Sequence, residues 1–148
     1  MVLLMVRARL LPEGEPLDIE SLVKELLEDN KDEPIGAVLA FLGVVRGVSS
    51  DGAKVKRLLY EAYEEVAVAK MEELLREAVE KHGVVDARAY HYVGERKVGQ
   101  PTFLVLVASR HRKEGFAALA EIVERVKKEV PIWKKEETDK GSYWLPKL

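Results

Sequence analysis

The chain has 148 residues and a net charge of −2; apolar residues make up 47% of it and charged residues 34%. This length suits one domain with a substantial core, residues 1–148, and the charge argues against a generally basic nucleic-acid-binding protein. There is no cysteine, which excludes disulfides, thiolate nucleophiles and cysteine-ligated metals. The opening segment is too short to span a membrane and lacks the pattern of a signal peptide, so we expect a cytoplasmic protein.

The apolar pattern predicts strands and helices in alternation along the chain. Apolar or alternating segments predict strands at residues 2–10, 37–45, 55–63, 84–93 and 102–109. Helical periodicity predicts a first helix after the N-cap Asp18, a second that stops at Gly83 and a third that Pro131 ends. A turn is expected at 94–101 and an extended tail after the third helix. This order, β-α-β-β-α-β-β-α with a tail, indicates an α+β fold with three helices and a largely antiparallel sheet.

The third helix carries a lysine in an unexpected position. At 100° per residue, its apolar residues fall on one arc, formed by Phe116, Leu119, Ala120, Ile122, Val123, Val126 and Val130. Lys127 falls inside this arc, whereas Lys128 faces the polar side. Such an amine either extends out to water or lines a pocket, and the spacing favours neither. In a pocket, desolvation would lower its pKa and allow it to act as a base or a nucleophile. Lys134 follows soon after the helix ends, which brings two amines to one end of it.

Further cationic side chains stand at the ends of predicted strands. Arg46 ends an apolar strand, and Ser109-Arg110-His111-Arg112 connects another strand to the third helix. Each group can bind a phosphate or carboxylate. Taken singly, each also fits a charge in water, and for residues 109–112 the spacing alone favours a solvated connection. His91 lies on the apolar side of its strand, which favours a buried core histidine. The three histidines lack metal-ligand spacing, so we expect no metal and no resident cofactor.

Taken in order, these segments resemble the large, catalytic subunit of molybdopterin synthase. The resemblance covers most of the chain and includes the third-helix Lys127 and the late Trp144. Its other motifs are GAVLAFLGVVR at 36–46, LYEAY at 59–63, His91 to Gly94 with Gly99, VASRHR at 107–112, and VPIWK at 130–134. The resemblance implies an α/β-hammerhead fold, which agrees with the predicted order of elements.

The resemblance also implies a reaction and its partners. Members of this family convert cyclic pyranopterin monophosphate to molybdopterin, with sulfur from the C-terminal Gly-Gly thiocarboxylate of a small ubiquitin-like subunit. By motif, Lys127 and Lys134 correspond to the catalytic lysines. The large subunits form a homodimer within a heterotetramer, and the pterin site draws on both protomers, with His111 and Arg112 coming from the second. The implied substrate-binding residues are Arg46, His111, Arg112, Lys135 and Glu136.

The sequence departs from the family pattern at three places, and two rival functions remain. Tyr92 follows His91 where the family usually has arginine, Gln100 stands where an acidic residue is common, and Gly47 follows Arg46 where a polar residue is common. One rival is a non-catalytic adaptor that binds a ubiquitin-like tail, which would not need the converging cations. The other is a small phosphate-binding hydrolase, which would need metal-binding carboxylates.

Overall fold

The structure is a computed structural model that describes residues 6–147. The order of its eight strands and three helices agrees with the predicted α+β class. Their bounds are β1 Val6–Leu11, α1 Ile19–Asp29, β2 Ala37–Val44, β3 Val55–Ala62, α2 Glu64–His82, β4 Asp86–Tyr92, β5 Gly94–Lys97, β6 Pro101–Ser109, α3 Arg112–Glu129, β7 Ile132–Thr138 and β8 Gly141–Trp144. Residues 2–5 of the first predicted strand lie outside the described residues.

The strands form two four-stranded sheets, where we expected one. The first sheet has the order β1-β4-β6-β2 and the second β5-β3-β7-β8. Every pairing is antiparallel except that of β1 with β4. The turn predicted at 94–101 contains β5, which is too short at four residues to show alternation in the sequence. The predicted extended tail forms the hairpin of β7 and β8, which completes the second sheet.

The first sheet is covered on both faces, which explains its continuous apolar strands. Phe103, Val105 and Val107 of β6 join the main core, where they share a cluster with residues of α2 and α3. The alternate residues Leu104 and Leu106 join a second cluster with the apolar face of α1. A strand buried on both faces loses the polar alternation of a half-exposed strand.

The helix ends are the features that the sequence predicted most closely. Asp18 caps α1, because its Oδ1 accepts a hydrogen bond from the backbone N–H of Ser21 at 3.1 Å. Gly83 ends α2 with a left-handed backbone at φ 67°, a conformation that glycine adopts without steric cost. At the end of α3, Val130 precedes Pro131 and is already extended, with ψ 133°. The structure contains no helix, within residues 6–147, long and apolar enough to cross a membrane.

A buried charged network ties α1 to the first sheet. Asp86 and Arg88 of β4 are both fully buried, and Arg88 Nη2 lies 2.9 Å from Asp86 Oδ2. The same Nη2 donates to Asp29 at 2.9 Å, and Asn30 Nδ2 donates to Asp86 at 2.7 Å. Each charge is therefore paired, which is the condition under which buried charges are tolerated.

Candidate active site

The end of α3 and the start of β7 place Lys127 and Lys134 at the same cleft. Lys127 lies in the last turn of α3, and the chain then turns at Pro131 into β7. On β7, Ile132, Lys134 and Glu136 alternate onto one face, because successive strand residues point to opposite sides. β7 pairs with β3, so this face joins that of Tyr60, the residue opposite Lys134.

The cleft has a volume of about 580 Å³, and its charged lining residues come from three separate parts of the chain. Arg46 comes from the loop after β2, Lys127 from α3, and Lys134 and Glu136 from β7. Its walls include the aromatic residues Phe41, Tyr60 and Phe103 and the tail residues Leu145 and Pro146. The structure thus brings together four of the seven predicted site residues around an apolar wall.

Lys127 lines the cleft yet remains exposed to solvent. Its Nζ lies 5.9 Å from the centroid of the Phe41 ring, at the mouth of the cleft. Both alternatives for this residue are therefore met in part, because the side chain borders a cavity and also extends into water. The desolvation that we considered for Lys127 affects Lys134 instead.

Lys134 is the half-buried amine of the cleft. Burial lowers its pKa, and the positive charges of Lys127 and Arg46 lower it further, whereas Glu136 acts in the opposite direction. A lowered pKa increases the share of neutral amine near neutral pH, which is the form that acts as a base or nucleophile. In chemical terms, Lys134 is the better candidate for that role, and Lys127 for holding an anion at the entrance.

A smaller cavity of about 90 Å³ adjoins the cleft, and we refer to it as the inner pocket. It shares Tyr60, Phe103, Lys127, Lys134 and Pro146 with the cleft and adds His91 and Lys147, among others. His91 is buried, as predicted, with 6% of its surface exposed. Its place beside the lysines was not predicted, and neither Tyr60, which lies within the LYEAY segment, nor Lys147 was predicted as a site residue. The alternation of β3 could have identified Tyr60, but nothing in the sequence shows the tail folding back.

The tail closes one side of the cleft. Leu145 donates its backbone N–H to the Lys134 carbonyl at 2.9 Å, which continues the pairing beyond β8. The ammonium group of Lys147 then donates to the carbonyl of Val130, at the C-terminal end of α3. Helix C-termini attract cations, so this contact satisfies a terminal carbonyl.

Three predicted site residues lie outside the cleft of their own chain. Lys135 projects from the opposite face of β7, where its Nζ lies 5.9 Å from the centroid of the Trp144 ring. His111 and Arg112 are exposed at the N-terminal end of α3. Lys127 follows Arg112 by 15 positions along α3, so the two residues are separated by roughly 22 Å at a rise of 1.5 Å per residue. Within residues 6–147, no group of three or more histidine, aspartate or glutamate residues is arranged to hold a metal ion.

Comparison with known proteins shows the family of this fold and site. The profile described as "MoaE protein" matches residues 13–129. The chain belongs to the MoaE protein family. It is 44% identical over 133 residues to the molybdopterin synthase catalytic subunit of Pyrococcus abyssi, covering 84% of this chain and 89% of that protein. These matches confirm the family, and the enzyme class, that the sequence resemblance predicted.

Solved structures confirm the fold class. The crystal structure of molybdopterin synthase from Staphylococcus aureus matches with a TM-score of 0.77 and 33% identity, covering 99% of this chain and 98% of that one. A chain from the complex of subunits 1 and 2 of molybdopterin-converting factor from Helicobacter pylori matches with a TM-score of 0.68, covering 95% and 88%. At 24% identity, this second likeness is one of fold.

Proposed function

We propose that this chain is the catalytic subunit of a molybdopterin synthase that acts on cyclic pyranopterin monophosphate in the cleft. Its sulfur donor would be the C-terminal thiocarboxylate of a small ubiquitin-like subunit, as the sequence resemblance implies. A relative that is named a catalytic subunit, and a similar structure that is a complex of two subunits, support a partner subunit. The observation that carries the proposal is the convergence of Arg46, Lys127 and Lys134 on one cleft. A non-catalytic adaptor for a protein tail would not need a half-buried amine there.

The charges of the cleft suit two anionic ligands. The pterin carries a phosphate and the donor tail carries a thiocarboxylate, whereas Glu136 is the one acidic residue among the described residues that line the cleft. The wall of Phe41, Tyr60 and Phe103 excludes part of the water, and attraction between opposite charges strengthens in such a medium. Arg46 can hold a phosphate through charge-assisted hydrogen bonds at the exposed end of the cleft.

The two lysines have different surroundings and therefore different roles in this proposal. Lys127, exposed at the mouth beside Phe41, attracts and holds the incoming anion. Lys134, whose pKa is lowered by burial, provides an amine that exchanges a proton or attacks the tail carbonyl during sulfur transfer. The chain has no cysteine, which is consistent with a sulfur atom supplied by the partner.

We also propose a homodimer in which His111 and Arg112 complete the cleft of the partner protomer. Because α3 is one continuous helix, these residues cannot approach the cleft of their own chain while Lys127 remains there. A two-fold symmetric dimer that places the N-terminal end of one α3 near the C-terminal end of the other would supply both residues to each of the two clefts. With one donor subunit on each protomer, the assembly is a heterotetramer.

Alanine variants of the two cleft lysines test the proposal against a matched control. We expect Lys134→Ala and Lys127→Ala to abolish or nearly abolish dithiolene formation from purified pterin precursor and thiocarboxylated donor. Lys128→Ala should be nearly silent, because Lys128 pairs with Glu124 at 3.1 Å on the outer face of α3.

Thermal melts and titration of the donor subunit should accompany the activity assay. We expect all three variants to fold and to bind the donor, since none of these side chains is part of the core. Normal turnover by Lys134→Ala would contradict the proposed chemistry. Donor binding without any dithiolene formation by the unmodified chain would favour the adaptor.

A further inference from the structure

The inner pocket contains a histidine that the reaction outlined above does not use. His91 lies on β4 opposite Phe103 of β6, and its ring borders the inner pocket beside Lys134. A buried polar side chain that borders a cavity next to a reactive amine can act on that amine. Whether the ring can accept a hydrogen bond from that amine depends on which of its two nitrogens carries the hydrogen.

The backbone fixes the tautomer of His91. Its Nδ1 lies 2.7 Å from the carbonyl oxygen of Tyr92. A carbonyl oxygen only accepts hydrogen bonds, so Nδ1 must carry the hydrogen and donate it. In the neutral ring, Nε2 is then a bare acceptor. Within residues 6–147, the Tyr92 carbonyl is the one hydrogen-bond partner of this ring.

Aromatic neighbours fix the orientation of the ring. Phe103 stacks on one face, with ring centroids 5.1 Å apart and planes inclined by 18°. Tyr60 makes an edge contact, with centroids 5.0 Å apart and an angle of 74°. Since the Nδ1 edge faces the backbone, the edge left to border the inner pocket is the one that carries Nε2.

Among the described residues, the charged groups that border the inner pocket around the ring are all cationic. Lys134 of β7 and Lys147 of the tail both lower the pKa of His91, after the larger effect of burial, and Lys127 of α3 borders the same pocket. The Tyr60 hydroxyl of β3 is uncharged, since burial raises its pKa to about 12. Lys147 already donates to the carbonyl of Val130. The Tyr60 hydroxyl interacts with Thr102, and Lys127 is exposed to solvent. Lys134 is half-buried and has no ion-pair partner within the described residues, so it is the donor best placed for Nε2.

We propose that His91 is a positioning residue for sulfur transfer, whose Nε2, unpartnered among the described residues, accepts a hydrogen bond from Lys134 Nζ after rotation of the lysine side chain within the pocket that the two residues share. A neutral amine has two N–H groups and one lone pair. When one N–H is held by His91, the lone pair is restricted to directions that include the cleft. This restriction lowers the entropic cost of reaching the reacting atom. The role rests on the proposed function, but the hydrogen bond itself can be tested without turnover.

Two amide substitutions separate this role from a structural one. His91→Gln keeps an acceptor near the position of Nε2, whereas His91→Asn keeps a donor near Nδ1 for the Tyr92 carbonyl. We expect kcat to fall roughly 10- to 100-fold in His91→Asn with little change in KM, and to be largely retained in His91→Gln. A purely structural role predicts the reverse order. Equal activity of the two variants would also overturn the proposal.

A second readout follows the amine directly and does not depend on the reaction. The rate at which Lys134 is labelled by an amine reagent, measured by peptide mass spectrometry across pH, reports its protonation. Loss of an acceptor makes the ammonium less favourable, so the midpoint should move to lower pH in His91→Phe and stay near that of the unmodified chain in His91→Gln. Lys128 is the internal control, because its labelling should not depend on residue 91. If the pH profiles of Lys134 labelling coincide in the unmodified chain and in His91→Phe, the hydrogen bond is refuted. If the unmodified chain forms no dithiolene, the proposed function fails while this test still stands.

The reverse test leaves His91 intact, in case its variants do not fold. In the unmodified chain, the ¹⁵N resonances of His91 should show the hydrogen on Nδ1. Replacement of the partner, Lys134→Met, should shift the Nε2 resonance toward that of an unbonded acceptor. An unchanged Nε2 resonance would overturn the proposal.

Discussion

Mild acid should destabilise this protein through His91 in a way that can be calculated. Burial lowers the pKa of His91 from 6.5 to about 4, with smaller contributions from Lys147 and Lys134, against the hydrogen bond to the Tyr92 carbonyl. Between these two pH values, the unfolded chain binds a proton at this position and the folded chain does not. The free energy of unfolding therefore falls as the pH drops below 6.5, and this loss is complete below about pH 4.

The size of the effect follows from the two pKa values. The difference between 6.5 and about 4 corresponds to about 3 kcal/mol in full, of which about 2 kcal/mol is lost at pH 5. Because the ring is almost fully buried, solvent screens little of this. For a chain of this length, about 2 kcal/mol corresponds to a decrease in Tm of roughly 4–8 °C.

Urea unfolding at pH 7 and pH 5, for the unmodified chain and for His91→Phe, isolates this contribution. The substitution has a pH-independent cost from the lost hydrogen bond, which cancels when the two pH values are subtracted. Titrating groups that do not contact His91 contribute equally to both proteins and also cancel. We expect the unmodified chain to lose about 2 kcal/mol more than His91→Phe between pH 7 and pH 5. Equal losses would refute the reasoning that His91 is buried in its neutral form.

Three further outcomes are expected. If the site is shared across a dimer, co-expression of inactive Arg46→Ala and Arg112→Ala chains should restore about a quarter of the normal dithiolene-forming activity. Half of the dimers are then hybrids, and each hybrid has one intact site of two. No recovery in verified hybrids would contradict a shared site. Asp86→Ala should lower the free energy of unfolding by about 3 kcal/mol, because it leaves the buried Arg88 without its fully buried partner. The double variant with Arg88→Met should recover part of this loss in urea unfolding. Gly115→Ala should lower the Tm, although alanine has the better helix propensity, because an added Cβ would lie 2.5 Å from side chains of β2 and β6. An unchanged Tm would show that these side chains move aside freely.

The helices were predictable because their signals are local. Asp18, Gly83 and Pro131 act on the backbone within one turn of their own positions, so neither tertiary contact nor distant pairing is needed to interpret them. The split into two sheets depends on which strands pair across long separations. The short strand β5 and the hairpin of β7 and β8 gave no periodic signal of their own.

The apolar arc of α3 was predicted too wide, and the error explains the exposure of Lys127. The buried residues centre on Ala118, Ile122 and Val126. On the helical wheel, Phe116 and Lys127 lie about 120° and about 140° from that centre, beyond the edge of the packed surface. Phe116 is accordingly 62% exposed. Hydrophobicity alone could not show where the packed surface of the helix ends.

The part of the site that depends on strand pairing was also beyond the sequence. Lys134 and Lys135 are adjacent in the chain, and the register of β7 against β3 sends one into the cleft and the other to the opposite face. The resemblance identified both as site residues, but the difference in their environment comes from the pleat. The same pairing brings Tyr60 opposite Lys134, and the tail then covers the pair.

Without a bound ligand, the cationic residues of the cleft oppose folding. Burial disfavours the charged form of Lys134, and the positive charges of Lys127 and Arg46 disfavour it further. Packing elsewhere must hold these cations together, and the buried faces of β4 and β6 and the pairing of β3 with β7 provide it. A bound anion reverses the sign of the interaction, so the same charges that oppose folding favour binding. The arrangement therefore makes sense as a binding and reaction site, since a surface selected for stability alone would separate these charges.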